Sequence, residues 1–166
     1  MNRIVALIVI SAALTGCTST YHMEVLKSPD RKFLKTHSIT IQTPKNGYYG
    51  EQEYVRSGQM TADAFKSEFL RYASNVTIDP KGKLSFSNPS NTYYVRPEIL
   101  QWEERATEWS GRRDKIKIKV DVYDMKTKSQ QSSVIFSGKS KWATFGGDHP
   151  QDLLPKPIRD YLKTLY

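Results

Sequence analysis

Hydrophobic and polar residues follow two different periods along this chain. Over Lys115-Ile116-Lys117-Ile118-Lys119-Val120-Asp121-Val122 every second residue is aliphatic. A period of two predicts a half-buried β-strand, here with Ile116, Ile118, Val120 and Val122 facing inward. Ser38-Ile39-Thr40-Ile41-Gln42 alternates in the same way, and Val76-Thr77-Ile78 reads as a shorter strand. Residues 93–109 read as one long extended segment, bent near Pro97. Residues 133–144 read as a further strand with Val134 and Phe136 on one face. Ser110 to Asp114 and Lys126 to Gln131 supply the turns between these segments. Three successive strands joined by short turns predict an antiparallel meander.

The period becomes helical twice. Phe65, Phe69, Tyr72 and Ala73 share one helical face, and Thr61 is placed to cap it, so the spacing predicts a helix over residues 62–74. Near the end of the sequence Ile158, Leu162 and Leu165 form a second stripe. Pro155 and Pro157 stand where a first turn tolerates proline. Residues 79–91, with Pro80, Gly82, Asn88 and Pro89, read as loop, and the stretch containing Tyr48, Tyr49 and Tyr54 as a polar, aromatic loop. The predicted class is α+β: an antiparallel sheet of about four to five strands with two helices packed on one face.

The first residues belong to neither pattern. Met1-Asn2-Arg3 is a short positive start, Ile4 to Ile10 is apolar, and Ser11-Ala12-Ala13 continues in small residues. The run is shorter than the ~20 apolar residues of a spanning helix. It has the three regions of a secretory signal. Its ending, Leu14-Thr15-Gly16-Cys17, resembles the lipobox of bacterial lipoproteins. That resemblance implies cleavage before Cys17, a diacylglycerol thioether on its sulfur, and a mature chain held on a membrane. Thr18 rather than aspartate after the cysteine implies the outer membrane, facing the periplasm. The expected division is a signal peptide over residues 1–16, a lipidated polar tether over 17–37, and a single domain over 38–166. Such a tether could reach on the order of 60 Å at ~3.3 Å per residue. Cys17 is the sole cysteine, so a lipidated chain has no disulfide and no thiol chemistry.

Charge narrows the partners. The 166 residues carry 25 basic and 17 acidic side chains. Removing residues 1–16 takes away only Arg3 and leaves a balance of +7. A positive balance suits anionic lipid or glycan, and nucleic acid is not expected in this compartment. Lys117 and Lys119 share the outer face of one strand, with Lys115, and Lys139 and Lys141 share a face of the next. These lysines are a candidate anion-binding face, or guards against edge pairing.

Two long motifs stand out. They are Pro97-Glu98-Ile99-Leu100-Gln101-Trp102-Glu103-Glu104-Arg105-Ala106-Thr107-Glu108-Trp109-Ser110-Gly111 and Lys141-Trp142-Ala143-Thr144-Phe145-Gly146-Gly147-Asp148-His149-Pro150-Gln151-Asp152-Leu153-Leu154-Pro155. With the lipobox they resemble a family of short Gram-negative lipoproteins catalogued as domain of unknown function 4823. The resemblance implies location and fold but no chemistry.

The residues themselves name no reaction. Histidine occurs at His22, His37 and His149, and no zinc-protease, nucleophile-elbow or phosphate-loop motif is present. No cofactor and no metal are expected. Trp102, Arg105, Glu108, Trp109, Asp148 and His149 form a candidate contact surface, since tryptophan and arginine are enriched at interfaces. In an up-down meander the end of the third strand returns beside the end of the first. That places Arg105, Glu108, Trp109, Asp148 and His149 in one region. The leading expectation is a non-enzymatic accessory or docking subunit of an envelope assembly, with an unidentified envelope protein as partner. The alternatives are a periplasmic hydrolase using Asp148 and His149 with a glutamate, and a carrier of an anionic lipid or glycan.

Overall fold

The computed structural model describes residues 18–80, 92–105, 112–141 and 149–166. Its centre is the meander: β6 (Tyr93–Glu103), β7 (Lys115–Asp124) and β8 (Gln130–Lys139), paired antiparallel in sequence. Ile116, Ile118, Val120 and Val122 point to one face and are at most 1% exposed, as the alternation requires. Lys115, Lys117 and Lys119 occupy the other face, where one residue in two is free to be polar.

The full sheet has six strands, in the order β1 (Thr20–Lys27), β8, β7, β6, β2 (Ser38–Gln42) and β5 (Asn75–Asp79), and is mixed rather than antiparallel. β2 (Ser38–Gln42) runs parallel to β6 and to β5 (Asn75–Asp79). Parallel neighbours need a crossover. α1 (Ser57–Phe69) supplies it between β2 and β5, laying Ala62, Phe65 and Phe69 on the sheet. β6 pairs with β2 only over Tyr93–Val95. Pro97 lies past that pairing, where the missing N–H on β6 is tolerated. The irregularity expected at Pro97 falls instead between Ile99 and Gln101, where the register shifts at Leu100.

The largest departure is β1 (Thr20–Lys27). Part of the expected tether is the sheet's edge strand, with Met23 opposite Phe136 and Val25 opposite Val134. The residues after it are also fixed. The Phe33 N–H donates to Leu165 O at 2.8 Å, and its ring stacks on Tyr93 with centroids 3.8 Å apart. β1 buries only Tyr21 and Met23, and those in part, against the core; Thr20, His22 and Glu24 between them are exposed. Backbone pairing with β8 supplies the rest of its hold.

The first helix also starts earlier than its apolar stripe, at Ser57 rather than at residue 62. Its cap comes from outside the helix. Asn46 Oδ1 accepts the Gly58 N–H at 3.1 Å, and Ser57 Oγ accepts the Gly47 N–H at 2.8 Å. Thr61 is not the cap. It lies one turn inside, and its hydroxyl donates to Ser57 O at 2.8 Å. The approach is close enough that a Cβ on Gly58 would stand 2.2 Å from Pro44 O.

α2 (Pro155–Leu165) packs Ile158, Tyr161, Leu162 and Leu165 onto the same face as α1. A 3-10 turn (Pro150–Leu153) leads into it. Arg159 joins the helices through a two-pronged bond to Glu68, at 3.0 and 3.1 Å. That bond, ahead of the opposing effect of burial, holds the Glu68 carboxyl below its ordinary pKa. Both helices cover one face, as expected. β3 (Gly47–Tyr49) and β4 (Gln52–Tyr54) form a separate hairpin beside β6, within the stretch read as loop.

Candidate functional site

The register places one row of residues at one end of the sheet. Thr20 pairs with Lys139, Lys139 with Lys115, and Lys115 with Glu103. The two family motifs leave the sheet here, one after Glu103 and the other after Lys139. A buried polar lock ties Arg105 of the first motif to Asp114 and, through it, to Ser140, the residue before the second. Arg105 Nε lies 3.1 Å from Asp114 Oδ2, and the Arg105 N–H donates to Asp114 Oδ1 at 2.8 Å. The Asp114 N–H donates to Ser140 Oγ at 3.0 Å, and the Ser140 N–H to Asp114 O at 3.0 Å. Arg105 and Asp114 are buried, so the lock stands in a low dielectric where each charge requires the other.

A second pair crosses the same region nearer to water. His149 Nδ1 lies 2.7 Å from Glu104 Oε1, with the imidazole side chain 52% and the carboxylate 38% exposed. Asp152 fixes the start of the 3-10 turn by accepting the His149 N–H at 2.9 Å. Tyr54, Val55, Met60, Trp102, Glu104 and His149 border an open hollow of about 380 Å³. An imidazole held by a carboxylate is an acid–base arrangement in principle. Here it is open to solvent on both sides.

The expected site residues separate on burial. Trp102 is 2% exposed, on the inner face with the core, so it is not a contact residue. Arg105 is committed to Asp114 and is likewise not a surface contact. The reason is that the end of β6 keeps its inner face under cover: the β3–β4 hairpin lies there, so close that a Cβ on Gly47 would stand 2.6 Å from Trp102 Cβ. His149 is exposed and meets Glu104, one residue before Arg105. The carboxylate beside the histidine is thus Glu104, one of the glutamates that the sequence sets near His149 but not a member of the expected contact surface. Glu108, Trp109 and Asp148 lie outside the described residues, as does Cys17.

The lysine face also divides. Lys117, Lys139 and Lys141 are exposed, whereas Lys119 Nζ lies 3.3 Å from Asp121 Oδ2 and Lys115 Nζ 2.9 Å from Glu103 Oε2. Asp121 is the polar centre of the outer face. It accepts from Arg96 Nη2 at 2.9 Å, Ser133 Oγ at 2.7 Å and Gln130 Nε2 at 2.8 Å. Burial alone would raise its pKa. The Ser133 hydroxyl, Arg96 and Lys119 together outweigh burial and hold it below the ordinary value.

Sequence reasoning also missed an exposed apolar edge on the hairpin. Tyr48 is 55%, Tyr49 47% and Val55 71% exposed. The only signal was three tyrosines in a stretch read as loop. Among the described residues no group of three or more histidine, cysteine, aspartate or glutamate side chains could hold a metal ion. No helix among them is long and apolar enough to cross a membrane.

Six strands, two helices on one face and an open polar face define a mixed α/β domain. The family of unknown function DUF4823 matches over residues 31–165, and the chain belongs to that family. Among solved structures, the PelC dodecamer from Paraburkholderia phytofirmans aligns with a TM-score of 0.68 at 11% identity, over 89% of this chain and 96% of that one. Protein XCC0632 from Xanthomonas campestris, of family DUF330, aligns with a TM-score of 0.56 at 12% identity, over 84% and 90%. At such identities the likeness is one of fold. No curated protein sequence matches this chain.

Proposed function

We propose that this chain is a lipid-anchored subunit on the periplasmic face of the outer membrane, a non-enzymatic docking component of an envelope assembly. The observation that carries the docking reading is the β3–β4 hairpin. It stands outside the main sheet and holds Tyr48, Tyr49 and Val55 out to solvent. Tyrosine supplies large contact area with few rotatable bonds, and exposed apolar groups beside polar neighbours fit a partner better than bulk water. That the fold also occurs in a protein described as a dodecamer supports a place in an assembly. The anchor reading rests on Leu14-Thr15-Gly16-Cys17.

Two changes test the proposal. Cys17→Ser should abolish labelling by a fatty-acid analogue and remove the protein from the outer-membrane fraction. Retained label would refute the anchor. A photo-crosslinker at Tyr49 of the otherwise native chain should give a discrete adduct in intact envelopes that disappears with Cys17→Ser. The adduct's mass tells a second copy from another protein, and absence of any adduct would refute docking through the hairpin.

The hydrolase reading keeps one supporting observation, the 2.7 Å His149–Glu104 pair. It predicts that an envelope hydrolytic activity is lost in both His149→Ala and Glu104→Gln. The docking reading predicts no such loss.

A further inference from the structure

We infer that the Thr20 end of the sheet lies against the membrane and that its basic rim, Arg112, Arg113, Lys139 and Lys141, rests on an anionic phospholipid surface. The inference depends on the lipid anchor at Cys17 proposed above and adds what the anchor does to the rest of the molecule. The ordered strand begins at Thr20, so only Thr18 and Ser19 separate it from Cys17. Three Cα steps span at most ~10 Å. A lipid on Cys17 therefore brings the start of β1 down to headgroup level, and a swinging tether of some 60 Å is replaced by a short fixed stem.

β1 cannot come down alone. Its register with β8 sets Thr20 beside Lys139, and onward pairing sets Lys139 beside Lys115 and Lys115 beside Glu103. Four strands at ~4.8 Å spacing make that row about 15 Å wide. The same end of the sheet therefore faces the bilayer as a unit, with the segments that flank it.

The charges at this end suit the surface they meet. Among the described residues that flank this row, Glu103, Asp114 and Glu104 are acidic. Each is already engaged, by Lys115, Arg105 and His149 respectively. Among the described residues Lys139, Lys141 and Arg112 are exposed at this end and Arg113 is half-buried, and Lys139 and Lys141 carry the positive charge that the surface would meet. Basic residues near an anionic leaflet are attracted over about a Debye length, roughly 8 Å at physiological salt. A stem of two residues keeps the rim within that range. A long tether would not.

The test is amine footprinting of the full lipidated chain. It is reconstituted in vesicles of phosphatidylethanolamine with phosphatidylglycerol, in vesicles of phosphatidylcholine alone, and in neutral detergent micelles. Each sample is acetylated briefly and digested. In the anionic vesicles, acetylation of Lys139 and Lys141 should fall several-fold relative to detergent. Lys35 and Lys126, exposed at the opposite end of the sheet, should change little. Protection should be weaker in phosphatidylcholine. Equal labelling of Lys139 and Lys141 in anionic vesicles and detergent would overturn the orientation. Equal protection in both kinds of vesicle would overturn the role of charge. The mass of the peptide containing Cys17 is read in the same digest. An acylated peptide with an unprotected rim refutes this inference alone, whereas an unmodified cysteine refutes the anchor and this inference together.

Discussion

Replacing Asp114 by alanine tests how β6, β7 and β8 are held together at one end of the meander. The Asp114 side chain is 0% exposed and that of Arg105 is 4% exposed. One carboxylate oxygen faces the guanidinium at 3.1 Å and the other accepts the Arg105 N–H at 2.8 Å. Truncation removes both of these contacts with Arg105, whose side chain is 4% exposed. Breaking a buried ion pair from one side costs about 3–5 kcal/mol, because the guanidinium loses the carboxylate that faces it in a low dielectric. For a domain of this length each kcal/mol moves Tm by about 2–4 °C, so Tm should fall by roughly 6–20 °C. Two controls separate charge from packing. Ser140→Ala deprives the Asp114 N–H of its acceptor and should cost only ~1–3 kcal/mol. Arg105→Met combined with Asp114→Asn removes both charges but keeps an oxygen for the Arg105 N–H, so it should melt above Asp114→Ala. Thermal unfolding followed by circular dichroism, with urea titration, reads all of these. If Asp114→Ala melts within about 2 °C of the parent, the lock does not hold this end of the sheet.

Two further predictions concern the faces of the sheet. Ile118 is 0% exposed on the inner face and Lys117 is exposed on the outer. Ile118→Asp should therefore prevent folding, since a lone charge there has no partner, while Lys117→Asp should melt within a few degrees of the parent; similar melting of both would reverse the facing of β7. Asp121 has its folded pKa below the ordinary value, so its contribution is fully present above the unfolded pKa of about 3.8 and is lost as pH falls through the folded value. Asp121→Asn should thus be less stable than the parent at neutral pH, with the gap closing below about pH 4. Urea midpoints across pH read this, and a gap constant with pH would remove the carboxylate from the account.

What the sequence made legible follows from which forces leave a trace in composition. Packing against one face does. β7, β8 and α2 were placed from Ile116, Ile118, Val134, Phe136, Ile158 and Leu162, because a buried face fixes the period of the apolar residues. Backbone pairing alone does not. β1 pairs along the edge that β8 offers and buries only Tyr21 and Met23 in part, while Val25 and Leu26 are each 48% exposed, so the brief alternation of Tyr21, Met23 and Val25 is a weak signal in a polar stretch. β2 and β5 alternate over five residues each, which predicts a strand but not the direction of its neighbour. That direction is set by α1 crossing between them. The start of α1 was misplaced for a related reason, since its cap comes from Asn46, eleven residues before Ser57. Within the candidate site, alternation along the first motif put a tryptophan and charged residues on both faces and so could not orient Trp102. The fold decided it, by placing the hairpin and Gly47 against that ring.

This burial pattern changes what the two family motifs can mean. A motif residue that is buried answers to its neighbours within the chain. An exposed one is free to answer to something outside it. Trp102 and Arg105 are accounted for by packing and by Asp114, so neither needs a partner to explain it. Glu104 and His149 differ. One comes from each motif, they meet at 2.7 Å, and both remain open to water, where even a full ion pair would contribute only about 0–1 kcal/mol. So small a gain is a weak reason for two segments to converge there. The lock already fixes the backbone, which leaves this pair, beside the Tyr54 and Val55 side of the hairpin, as the part of the motifs that faces outward. A partner seated on the hairpin would therefore reach Glu104 and His149 as well. Charge reversal of Glu104 should then weaken the Tyr49 crosslink while leaving Tm nearly unchanged. An unaltered crosslink would confine docking to the hairpin.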